Sequence, residues 1–488
     1  MALCLVGSEM CIRDRNILKL QKKLYIDEGI PSLELRQDRL SRSVDMLKKY
    51  HVEILEAITA DFGSRDPRAG FMSEIMSTIG SLNYAKENVK NWMKDEKRNS
   101  NASQPFVVRT LMSLLGAKSK IKYQPLGTVG VISPWNFPIN LVLAPLGTIF
   151  AAGNRVMIKP SEFTPETSEL TKKMFQEYFD SAEAAVFTGG PDVGAAFSAL
   201  PFDHLLFTGS TNTGKLVMKS AAENLVPVTL ELGGKSPVVV DDDADMKSAT
   251  TRIMRGKTMN AGQICLAPDY VMVPKGKSEE FYEKSKEAIE KSYESLKYNP
   301  DYTSVINEKH YDRLNDLIED AKEKGAEVKV INPANEDFSQ QEVHKIPPTL
   351  IMNPTDDMQI MKEEIFGPVL PVKEYENFQE TIDYVNSKDR PLGLYYFGKN
   401  KEREDKVLNN TISGGVTIND VIWHIGQEDL PFGGVGPSGI GNYHGFDGFK
   451  AFSHAKAIYR QFSADLLGPM MPPYSGKQFE STKEQTLK

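Results

Sequence analysis

The spacing of apolar residues along the chain predicts two long helices followed by alternating strands and helices. Between residues 38 and 62, apolar side chains recur every three or four positions, as on one face of an amphipathic helix. Gly63 is expected to end that helix, and residues 71–92 are expected to form a second one. Short apolar runs then predict strands at residues 126–132, 154–158, 184–190 and 204–208. Predicted helices separate these runs, which favours a parallel sheet in an α/β fold.

The second half of the chain shows a mixed pattern of helices and strands. Helices are expected at residues 247–259, 278–296 and 310–324, and strands at 327–331, 349–352, 369–372, 392–397 and 415–418. This order predicts a second α/β domain. Residues 99–124 form a basic segment that is predicted to be an exposed connector. Residues 449–460 are predicted to form a short strand, and the polar tail after Pro473 is expected to lack regular structure.

One uncharged stretch, residues 123–154, is long enough to span a bilayer. Four prolines interrupt it, and together with Asn136 and Asn140 they would be costly in lipid. A buried strand, a turn and a buried helix are therefore the predicted structure.

Length and charge narrow the functional classes. A chain of 488 residues is too long for a single hydrophobic core, so two or three domains are expected. The 58 basic and 66 acidic residues leave a net charge of −8, which argues against nucleic acid or an anionic membrane as the main partner. No His or Cys cluster has the spacing of metal ligands, so no metal site is predicted.

The chain has three cysteines, Cys4, Cys11 and Cys265, and this sparse, odd set argues against a disulfide framework. It indicates a reducing compartment, so a cytoplasmic location is expected. Residues 1–15 show neither a helical nor a strand period, and their segment GSEMCIRDR resembles a translated cloning adapter. We hypothesise that these residues are not native, which would leave Cys265 as the native cysteine. Ordered packing of residues 1–15 against the core would contradict this hypothesis.

Candidate chemistry is concentrated in residues 225–268, which contain Glu231 in LELGGKSP and Cys265 in NAGQICLAP. Thioester chemistry requires a thiol nucleophile and a separate carboxylate base, since the thiol forms the covalent intermediate and the carboxylate activates water. Each residue alone is a weak signal. A single cysteine is more often a small buried hydrophobe, and a glutamate beside Gly-Gly is more often a turn residue.

Three other segments carry candidate binding groups. Asn136 lies in a turn between prolines, where a fixed amide can donate a hydrogen bond to an oxyanion; a surface amide is the plainer alternative. Residues 159–162, KPSE, lie at a predicted strand-to-helix crossover, where α/β sheets bind nucleotides. Residues 209–216, GSTNTGKL, nearly match a P-loop, but Leu216 replaces the required hydroxyl and excludes an NTPase. The free N–H groups of the helix that begins there suit a pyrophosphate.

Seven motifs occur along the chain, and in chain order they are PWNFP, KPSEFTP, FTGST, LELGGKSP, NAGQIC, EEIFGP and PFGG. Together they resemble the aldehyde dehydrogenase superfamily, over roughly residues 30–470. Further segments, such as DFGSR at 61–65 and RPLGLYYFG, are most similar to the coniferyl aldehyde dehydrogenase branch, close to the class 3 enzymes.

The resemblance implies an aldehyde dehydrogenase-like fold with a Rossmann-like NAD-binding domain, an α/β catalytic domain and a small β oligomerisation element. The implied NAD-binding domain comprises residues 16–106 and 126–233, and the implied catalytic domain comprises residues 234–448. The oligomerisation hairpin is expected at residues 107–125, the C-terminal strand at residues 449–470, and a flexible tail at residues 471–488. In the family the hairpin reaches across to the partner subunit, so a homodimer or homotetramer is expected.

The resemblance also implies roles for individual residues. Cys265 is the nucleophile, Glu231 is the general base, and Asn136 forms the oxyanion hole with the backbone N–H of Cys265. The residues implied in cofactor binding are Trp135, Lys159, Ser161, Glu162, Gly209, Ser210, Glu364 and Phe366. The residues placed near the substrate are Asn419, Trp423, His424 and Phe432. For the aromatic members of that last group, ordinary core packing is an equal alternative.

The implied activity is NAD(P)-dependent oxidation of an aldehyde to the carboxylic acid, through a cysteine thiohemiacetal and a thioester. Coniferyl aldehyde or a related aromatic aldehyde is the expected substrate, and a medium-chain aliphatic aldehyde is the alternative. Glu162 favours NAD over NADP, because an acid disfavours a 2′-phosphate. Two other classes stay open. One is a cofactor-independent Cys hydrolase, which needs a histidine near Cys265, and the other is a non-catalytic binding protein on the same fold.

Overall fold

The computed structural model describes residues 8–100, 102–103, 106–462, 471–472 and 477–487. The chain divides into two compact units. One unit comprises Met1–Trp92 and Pro125–Ser453, and the other comprises Met93–Gln124 and His454–Lys488.

Helices account for a large part of the described residues. In chain order they are α1 (Ser8–Glu28), α2 (Leu33–Phe62), α3 (Pro67–Gly70), α4 (Ser77–Trp92), α5 (Phe106–Leu114), α6 (Asn140–Ala152), α7 (Pro165–Tyr178), α8 (Pro191–Ser198), α9 (Thr211–Ala222), α10 (Met246–Thr258), α11 (Ser278–Ser292), α12 (Glu308–Glu323), α13 (Phe378–Ser387), α14 (Lys401–Asn410), α15 (Gly445–Ala451) and α16 (Lys477–Leu487).

The strands form three sheets. In chain order they are β1 (Glu96–Arg98), β2 (Lys118–Pro125), β3 (Thr128–Ile132), β4 (Arg155–Lys159), β5 (Ala184–Val186), β6 (His204–Gly209), β7 (Val228–Leu232), β8 (Pro237–Val240), β9 (Tyr270–Pro274), β10 (Glu327–Val330), β11 (Thr349–Met352), β12 (Val369–Tyr375), β13 (Gly393–Phe397), β14 (Gly415–Ile418), β15 (Gly439–Ile440) and β16 (Ser453–Arg460).

The first sheet of the larger unit has the strand order β15-β7-β6-β3-β4-β5. The pairs between β7 and β5 are parallel, and β15 joins the edge in antiparallel orientation. Strands β3 and β4 are buried at every position, as expected for a parallel sheet that is covered on both faces. The predicted parallel sheet in the first half of the chain is therefore confirmed.

The second sheet has the order β10-β11-β12-β9-β8-β13-β14, with β10 antiparallel to its neighbour and the other pairs parallel. Apolar residues cover both of its faces. Val239, Met272 and Leu394 belong to one core cluster, and Val238 and Val271 belong to another. The α/β fold class predicted from the sequence is confirmed, although the domain boundaries stay predictions.

Two predicted segments of the larger unit are confirmed with shifted bounds. Helix α2 begins earlier than predicted, at Leu33, because the hydroxyl of Ser32 accepts a hydrogen bond from its first turn; Gly63, at a φ of 72°, ends it as expected. Residues 123–154 contain a strand, a turn and the buried helix α6. The helices within the described ranges do not combine the length and apolarity needed to cross a bilayer.

The smaller unit contains a three-stranded sheet in the order β1-β2-β16, with β1 antiparallel to β2. Helix α5 lies between β1 and β2 in sequence and exposes a run of apolar side chains. Phe106, Val107, Leu111 and Leu114 are between 56% and 80% exposed. The basic connector predicted at residues 99–124 therefore contains an apolar helix that the sequence pattern did not indicate.

Expectations for both ends of the chain need correction. Helix α1 begins at Ser8, so the second half of the supposedly aperiodic segment 1–15 is helical, and Asp14 is buried. Residues 1–7 lie outside the described residues, and the hypothesis that the segment is not native stays untested. The predicted strand at 449–460 begins only at Ser453, because Phe449 lies in α15. Helix α16 forms within the tail that was expected to lack regular structure.

Candidate active site

Loops that follow neighbouring strands meet at one edge of the first sheet. Strands β3, β4, β6 and β7 are parallel, and their register places Ile132 beside Lys159 and Gly209 beside Leu232. Their carboxyl ends therefore lie side by side, which is where open α/β sheets bind ligands. The predicted site residues at this edge are Trp135, Asn136, Lys159, Ser161, Glu162, Gly209, Ser210 and Glu231.

Cys265 follows a loop whose backbone adopts an uncommon conformation. After α10, Asn260 and Ala261 have φ values of 49° and 52°. Gly262 follows with a φ of 72°, and a Cβ there would overlap the Gly367 carbonyl. This position therefore requires glycine. Backbone strain of this kind is concentrated at functional sites, because the surrounding structure must hold it in place.

Asn136 is fixed through both its side chain and its backbone. Its Nδ2 donates to the Gln263 carbonyl at 3.0 Å, which ties the turn after β3 to the Cys265 loop. Its own carbonyl accepts from Arg65 Nη1 at 3.0 Å and from Asn260 Nδ2 at 3.1 Å. A primary amide has a second N–H. Asn136 can therefore keep this bond and still donate to an oxyanion.

Glu231 is buried in β7, and neither of its carboxyl oxygens is hydrogen-bonded to another described residue. Burial raises its pKa well above the ordinary value for a glutamate. A carboxylate with a raised pKa is a stronger base, and oxygens without a hydrogen-bond partner are not held by other groups. This environment suits a general base better than a turn residue.

The Cys265 thiol lies in an environment that disfavours its ionised form. Burial is the main cause of its raised pKa, and the negative charges of Glu364 and Glu231 raise the pKa further. A thiol in this environment is protonated near neutral pH. Its activation therefore depends on a change of surroundings, such as the binding of a ligand.

A cleft of about 710 Å³ brings these groups together. Its lining includes all three predicted catalytic residues, which are Asn136, Glu231 and Cys265. It also includes five of the predicted cofactor residues, which are Trp135, Gly209, Ser210, Glu364 and Phe366. The first turn of α9 lines the same cleft through Thr211 and Asn212, with Ser210 as its N-cap. A helix that begins at the wall of a cleft is a suitable site for a phosphate group.

Aromatic side chains form one wall of the cleft. Phe366 has a φ of 51°, uncommon for a bulky residue, and its ring meets Trp135 edge-on with 5.3 Å between centroids. Trp135 also contacts His310 at 5.2 Å. Burial, aided by nearby cations, lowers the pKa of His310 to about 4, so the ring is neutral. The sequence did not indicate His310, because a histidine on a charged helix belongs to no motif.

The Glu364 carboxyl lies against the turn that follows Glu231. A Cβ at Gly233 would overlap this carboxyl, and the Gly234 N–H donates to it. Burial is the main reason that the pKa of Glu364 is raised to about 8, and Asp269 adds to the effect. The group therefore changes charge in the mildly alkaline range.

Lys159, Ser161 and Glu162 lie at the same sheet edge but outside the lining of this cleft. The buried Lys159 ammonium pairs with the partly exposed Glu162 carboxylate at 2.5 Å. Ser161 Oγ accepts a hydrogen bond from the Phe163 N–H at 3.2 Å. The ion pair leaves part of the Glu162 carboxylate accessible to a hydroxyl donor, as a ribose-binding role requires.

The residues placed near the substrate do not line the cleft. The Asn419 side-chain amide exchanges two hydrogen bonds of 3.0 Å with the backbone of Gly398, so both ends of the amide are occupied. Trp423 is 63% exposed. Neither residue lines this cleft, and their predicted place near the substrate stays a prediction.

His424 and Phe432 belong to a buried aromatic cluster. The Phe432 ring lies 6.1 Å from His424, 5.8 Å from Tyr443 and 5.1 Å from His444. Burial lowers the pKa of both histidines to about 4. This arrangement is the core packing that the sequence left open as an alternative.

Two tyrosines near the thiol were missed by the sequence analysis. Tyr395 Oη donates to the carbonyl of Leu266, the neighbour of Cys265, at 2.5 Å. Tyr443 is buried, and the charges of Glu231 and Cys265 contribute to its raised pKa. Tyr395 lies in an apolar run that is typical of core residues, and Tyr443 lies in a Gly-rich segment, so no local signal distinguishes either tyrosine.

One acidic group within the described ranges has carboxylates close enough to hold a cation. The carboxylate oxygens of Asp241, Asp242 and Asp243 lie within 4.8 Å of one another. Arg403 pairs with Asp241 and Asp242, and Tyr396 Oη donates to Asp241 at 2.7 Å. These partners account for the cluster without a metal, and the prediction that the chain binds none stays a prediction.

The chain is similar to aldehyde dehydrogenases over most of its length. A model of the aldehyde dehydrogenase family matches residues 31–458. A probable coniferyl aldehyde dehydrogenase of Caulobacter vibrioides is 54% identical over 462 residues, covering 94% of this chain and 94% of that protein. A coniferyl aldehyde dehydrogenase of Pseudomonas sp. is 48% identical over 444 residues, covering 91% of this chain and 90% of that protein.

Solved structures show the same similarity in three dimensions. The substrate-bound state of Staphylococcus aureus AldH has a TM-score of 0.87 and 35% identity, covering 99% of this chain and 100% of that chain. An aldehyde dehydrogenase of Mycobacterium tuberculosis complexed with NAD⁺ has a TM-score of 0.81 and 25% identity, covering 93% of this chain and 92% of that chain.

Proposed function

The chain belongs to the aldehyde dehydrogenase family, and on that premise we propose that it oxidises coniferyl aldehyde or a closely related aromatic aldehyde with NAD. Family membership and the predicted aldehyde dehydrogenase-like fold are confirmed, and an oxidoreductase that acts on aldehydes with a nicotinamide cofactor follows from them. The observation that carries the substrate proposal is the similarity, over almost the whole chain, to proteins named coniferyl aldehyde dehydrogenase.

In the proposed mechanism, Cys265 forms the covalent intermediate. Its thiolate attacks the aldehyde carbon, a C–S bond forms, and the carbonyl π electrons move to oxygen. Asn136 Nδ2 and the Cys265 N–H donate hydrogen bonds to this oxyanion, an interaction typically worth about 3–4 kcal/mol of barrier per donor. The bonds from Asn136 to Gln263 and from Arg65 to Asn136 support this assignment, because they fix the amide before the substrate arrives.

A bound nicotinamide cofactor would supply the oxidation as a hydride acceptor, and the oxyanion electrons of the thiohemiacetal would then re-form the C=O bond, which leaves a thioester on Cys265. The cleft fits such a group, since Phe366 and Trp135 provide an aromatic wall and Glu364 provides a carboxyl at one end. Gly209 and Ser210 provide a helix N-terminus for its phosphates. We therefore propose these five residues as its binding site.

Glu231 completes the cycle by acting on the thioester. The carboxylate accepts a proton from water, the resulting hydroxide adds to the thioester carbonyl, and the C–S bond breaks to release the acid and the thiolate. The raised pKa and free carboxyl oxygens of Glu231 support this role. A hydrolase that uses a Cys–His pair is less well supported, because no described histidine is hydrogen-bonded to Cys265 and the His310 ring in the cleft packs against Trp135 and Phe163.

The preference for NAD rests on Glu162. Its partly exposed carboxylate, paired with Lys159, can accept a hydrogen bond from a ribose hydroxyl but would repel a 2′-phosphate.

We also propose that the enzyme works in the cytoplasm as a homodimer or homotetramer. The sparse cysteines support the first part, and the exposed apolar helix α5 supports the second.

The test is formation of reduced nicotinamide with coniferaldehyde, benzaldehyde and hexanal, each assayed with NAD⁺ and with NADP⁺. We expect the highest kcat/KM with coniferaldehyde and NAD⁺. Cys265→Ala should abolish turnover, because Cys265 is the one thiol among the described residues that line the cleft. A higher kcat/KM with hexanal than with coniferaldehyde would indicate that the substrates are medium-chain aliphatic aldehydes. If the folded protein reduces neither NAD⁺ nor NADP⁺ with any of these aldehydes, a binding protein or a hydrolase would be the better interpretation.

A further inference from the structure

A buried ion pair links the two motifs that carry Glu231 and Cys265. Lys235 stands four positions after Glu231, and Asp269 stands four positions after Cys265. Their side chains pair, and they are only 9% and 4% exposed. The pair therefore connects the turn after β7 to the loop that leads into β9.

The same two side chains bind the backbone of a third segment, residues 360–366, which contains Glu364 and Phe366. Lys235 Nζ donates to the Ile360 carbonyl at 2.7 Å and to the Glu363 carbonyl at 3.0 Å. Asp269 Oδ1 accepts from the Ile365 N–H at 2.9 Å. One ammonium and one carboxylate thus satisfy three backbone groups of this segment.

The segment needs such support because its conformation is unfavourable. Phe366 has a positive φ, and Glu364 is a carboxyl that burial keeps partly protonated. Strain of this kind persists only where neighbouring groups over-determine it. From the other side, Arg313 donates to the Ile365 carbonyl at 2.6 Å, but Arg313 is 31% exposed and screened by solvent.

We propose that Lys235 and Asp269 are positioning residues, which fix residues 360–366 at the distance from Cys265 and Glu231 that hydride transfer requires. The inference rests on the proposed function. Neither residue is assigned contact with the reacting atoms. The pair acts through Glu364 and Phe366, which line the cleft. Small displacements matter here, because a shift of about 1 Å can cost about 100-fold in rate.

A purely structural pair is the competing interpretation, since many buried ion pairs contribute to specificity or to nothing measurable. The two interpretations differ in what they predict for separate reactions at Cys265. Cleavage of an activated ester needs only thiolate attack, loss of the alcohol and water activation by Glu231. Aldehyde oxidation also needs a correctly placed cofactor. A positioning pair must therefore affect these two reactions unequally.

The test compares Lys235→Met with the double variant K235M/D269N, which removes both charges of the pair. We measure the NAD⁺ dissociation constant by calorimetry, p-nitrophenyl acetate hydrolysis without cofactor, and hydrogen exchange of the peptide that covers residues 359–367. For both variants we expect NAD⁺ to bind about tenfold more weakly and kcat for aldehyde oxidation to fall about 100-fold. Ester hydrolysis should fall much less, and exchange at residues 359–367 should become faster. Lys219→Met, at an exposed lysine of α9, is the matched control and should change none of these.

Unchanged NAD⁺ affinity together with unchanged exchange in the folded double variant would overturn the proposal. A parallel loss of ester hydrolysis and NAD⁺ binding would also overturn it, because the pair would then shape the whole site. If the unaltered enzyme binds NAD⁺ but oxidises no aldehyde, the proposed function fails. In that case the NAD⁺ affinity of the variants and the hydrogen exchange at residues 359–367 still test the positioning role.

Discussion

At the scale of single residues, the charge of Glu364 adds to the burial that opposes ionisation of Cys265. Burial raises the pKa of Glu364 to about 8, and its negative charge is one of the causes of the raised pKa of Cys265. Below pH 8 Glu364 is mostly protonated and has little effect on the thiol. As the pH rises through 8, the carboxylate forms and opposes the thiolate.

This coupling predicts a pH-dependent effect of Glu364→Gln on the alkylation of Cys265 by iodoacetamide. The ratio of the variant's rate to the unaltered rate should be near one at pH 6.5. It should rise to about tenfold at pH 9.5, since one pKa unit changes the thiolate fraction tenfold. The rate is followed on the Cys265 peptide by mass spectrometry, because the chain contains two further cysteines, Cys4 and Cys11. Glu363→Gln, next to it on the exposed side of the cleft, is the matched control.

A ratio that stays constant across this pH range would show that Glu364 does not act on the thiol through its charge. An equal ratio for Glu363→Gln would show that any nearby carboxylate suffices. Either result would remove Glu364 from the account of thiol activation.

The sequence predicted single residues well where a motif fixes the chemistry. Cys265, Glu231 and Asn136 were named from motifs, and the structure brings all three to one cleft, although their roles stay predictions. Asn419 was placed near the substrate by motif position alone. That placement stays a prediction, and the Asn419 amide pairs with Gly398, 21 positions earlier, a contact that the motif did not indicate. His310 was missed for the same reason, since only the fold brings it to Trp135.

At the scale of elements, the turn after β3 depends on a buried ion pair from the helical N-terminal region. Arg65 and Glu74 pair at 2.9 Å with exposures of 2% and 0%. Arg65 donates to the Asn136 carbonyl, and Glu74 accepts from the Ile139 and Asn140 N–H groups at 3.1 Å and 2.8 Å. The start of α6 and the position of Asn136 therefore depend on the same pair.

We predict that Arg65→Met lowers the free energy of unfolding by about 3–5 kcal/mol, because Glu74 is left as an uncompensated buried charge. The double variant R65M/E74Q should recover much of that stability, since neither residue is then charged. Both variants should lose kcat, because the Asn136 carbonyl has lost a donor. Urea unfolding and steady-state kinetics measure the two effects. Full recovery of kcat in the double variant would mean that Arg65 does not position Asn136.

Element ends were predicted less well than the elements themselves. By local propensity a threonine before Pro165 is a favourable N-cap for α7, but the Thr164 side chain makes no capping bond. Asp61 provides the cap instead, accepting from the N–H groups of Glu166 and Thr167 at 3.0 Å and 2.9 Å. Such a cap lies about a hundred positions away in the chain. Local propensity cannot predict it, because tertiary contacts override the local choice.

At the scale of the whole molecule, the two parallel sheets followed from periodicity, because alternating strands and helices admit few topologies. The periodicity of the sequence did not predict the exposed apolar face of α5. Residues 93–124 carry seven basic and two acidic side chains in a chain with a net charge of −8. A second copy of this chain therefore offers opposite charge as well as an apolar surface for α5.

The exposed apolar face of α5 is a candidate contact surface for that second copy. If α5 contacts a second copy, Leu111→Glu combined with Leu114→Glu should dissociate the oligomer, since the two leucines are 56% and 80% exposed and free to be covered. Losing two buried leucines costs about 3–6 kcal/mol, which weakens association at least about 100-fold. Light scattering after gel filtration measures the mass, and Leu225→Glu, at a leucine that is 90% exposed, is the control. An oligomer that survives the double substitution would assign self-association to another surface, and α5 would then need a different partner to account for its apolar face.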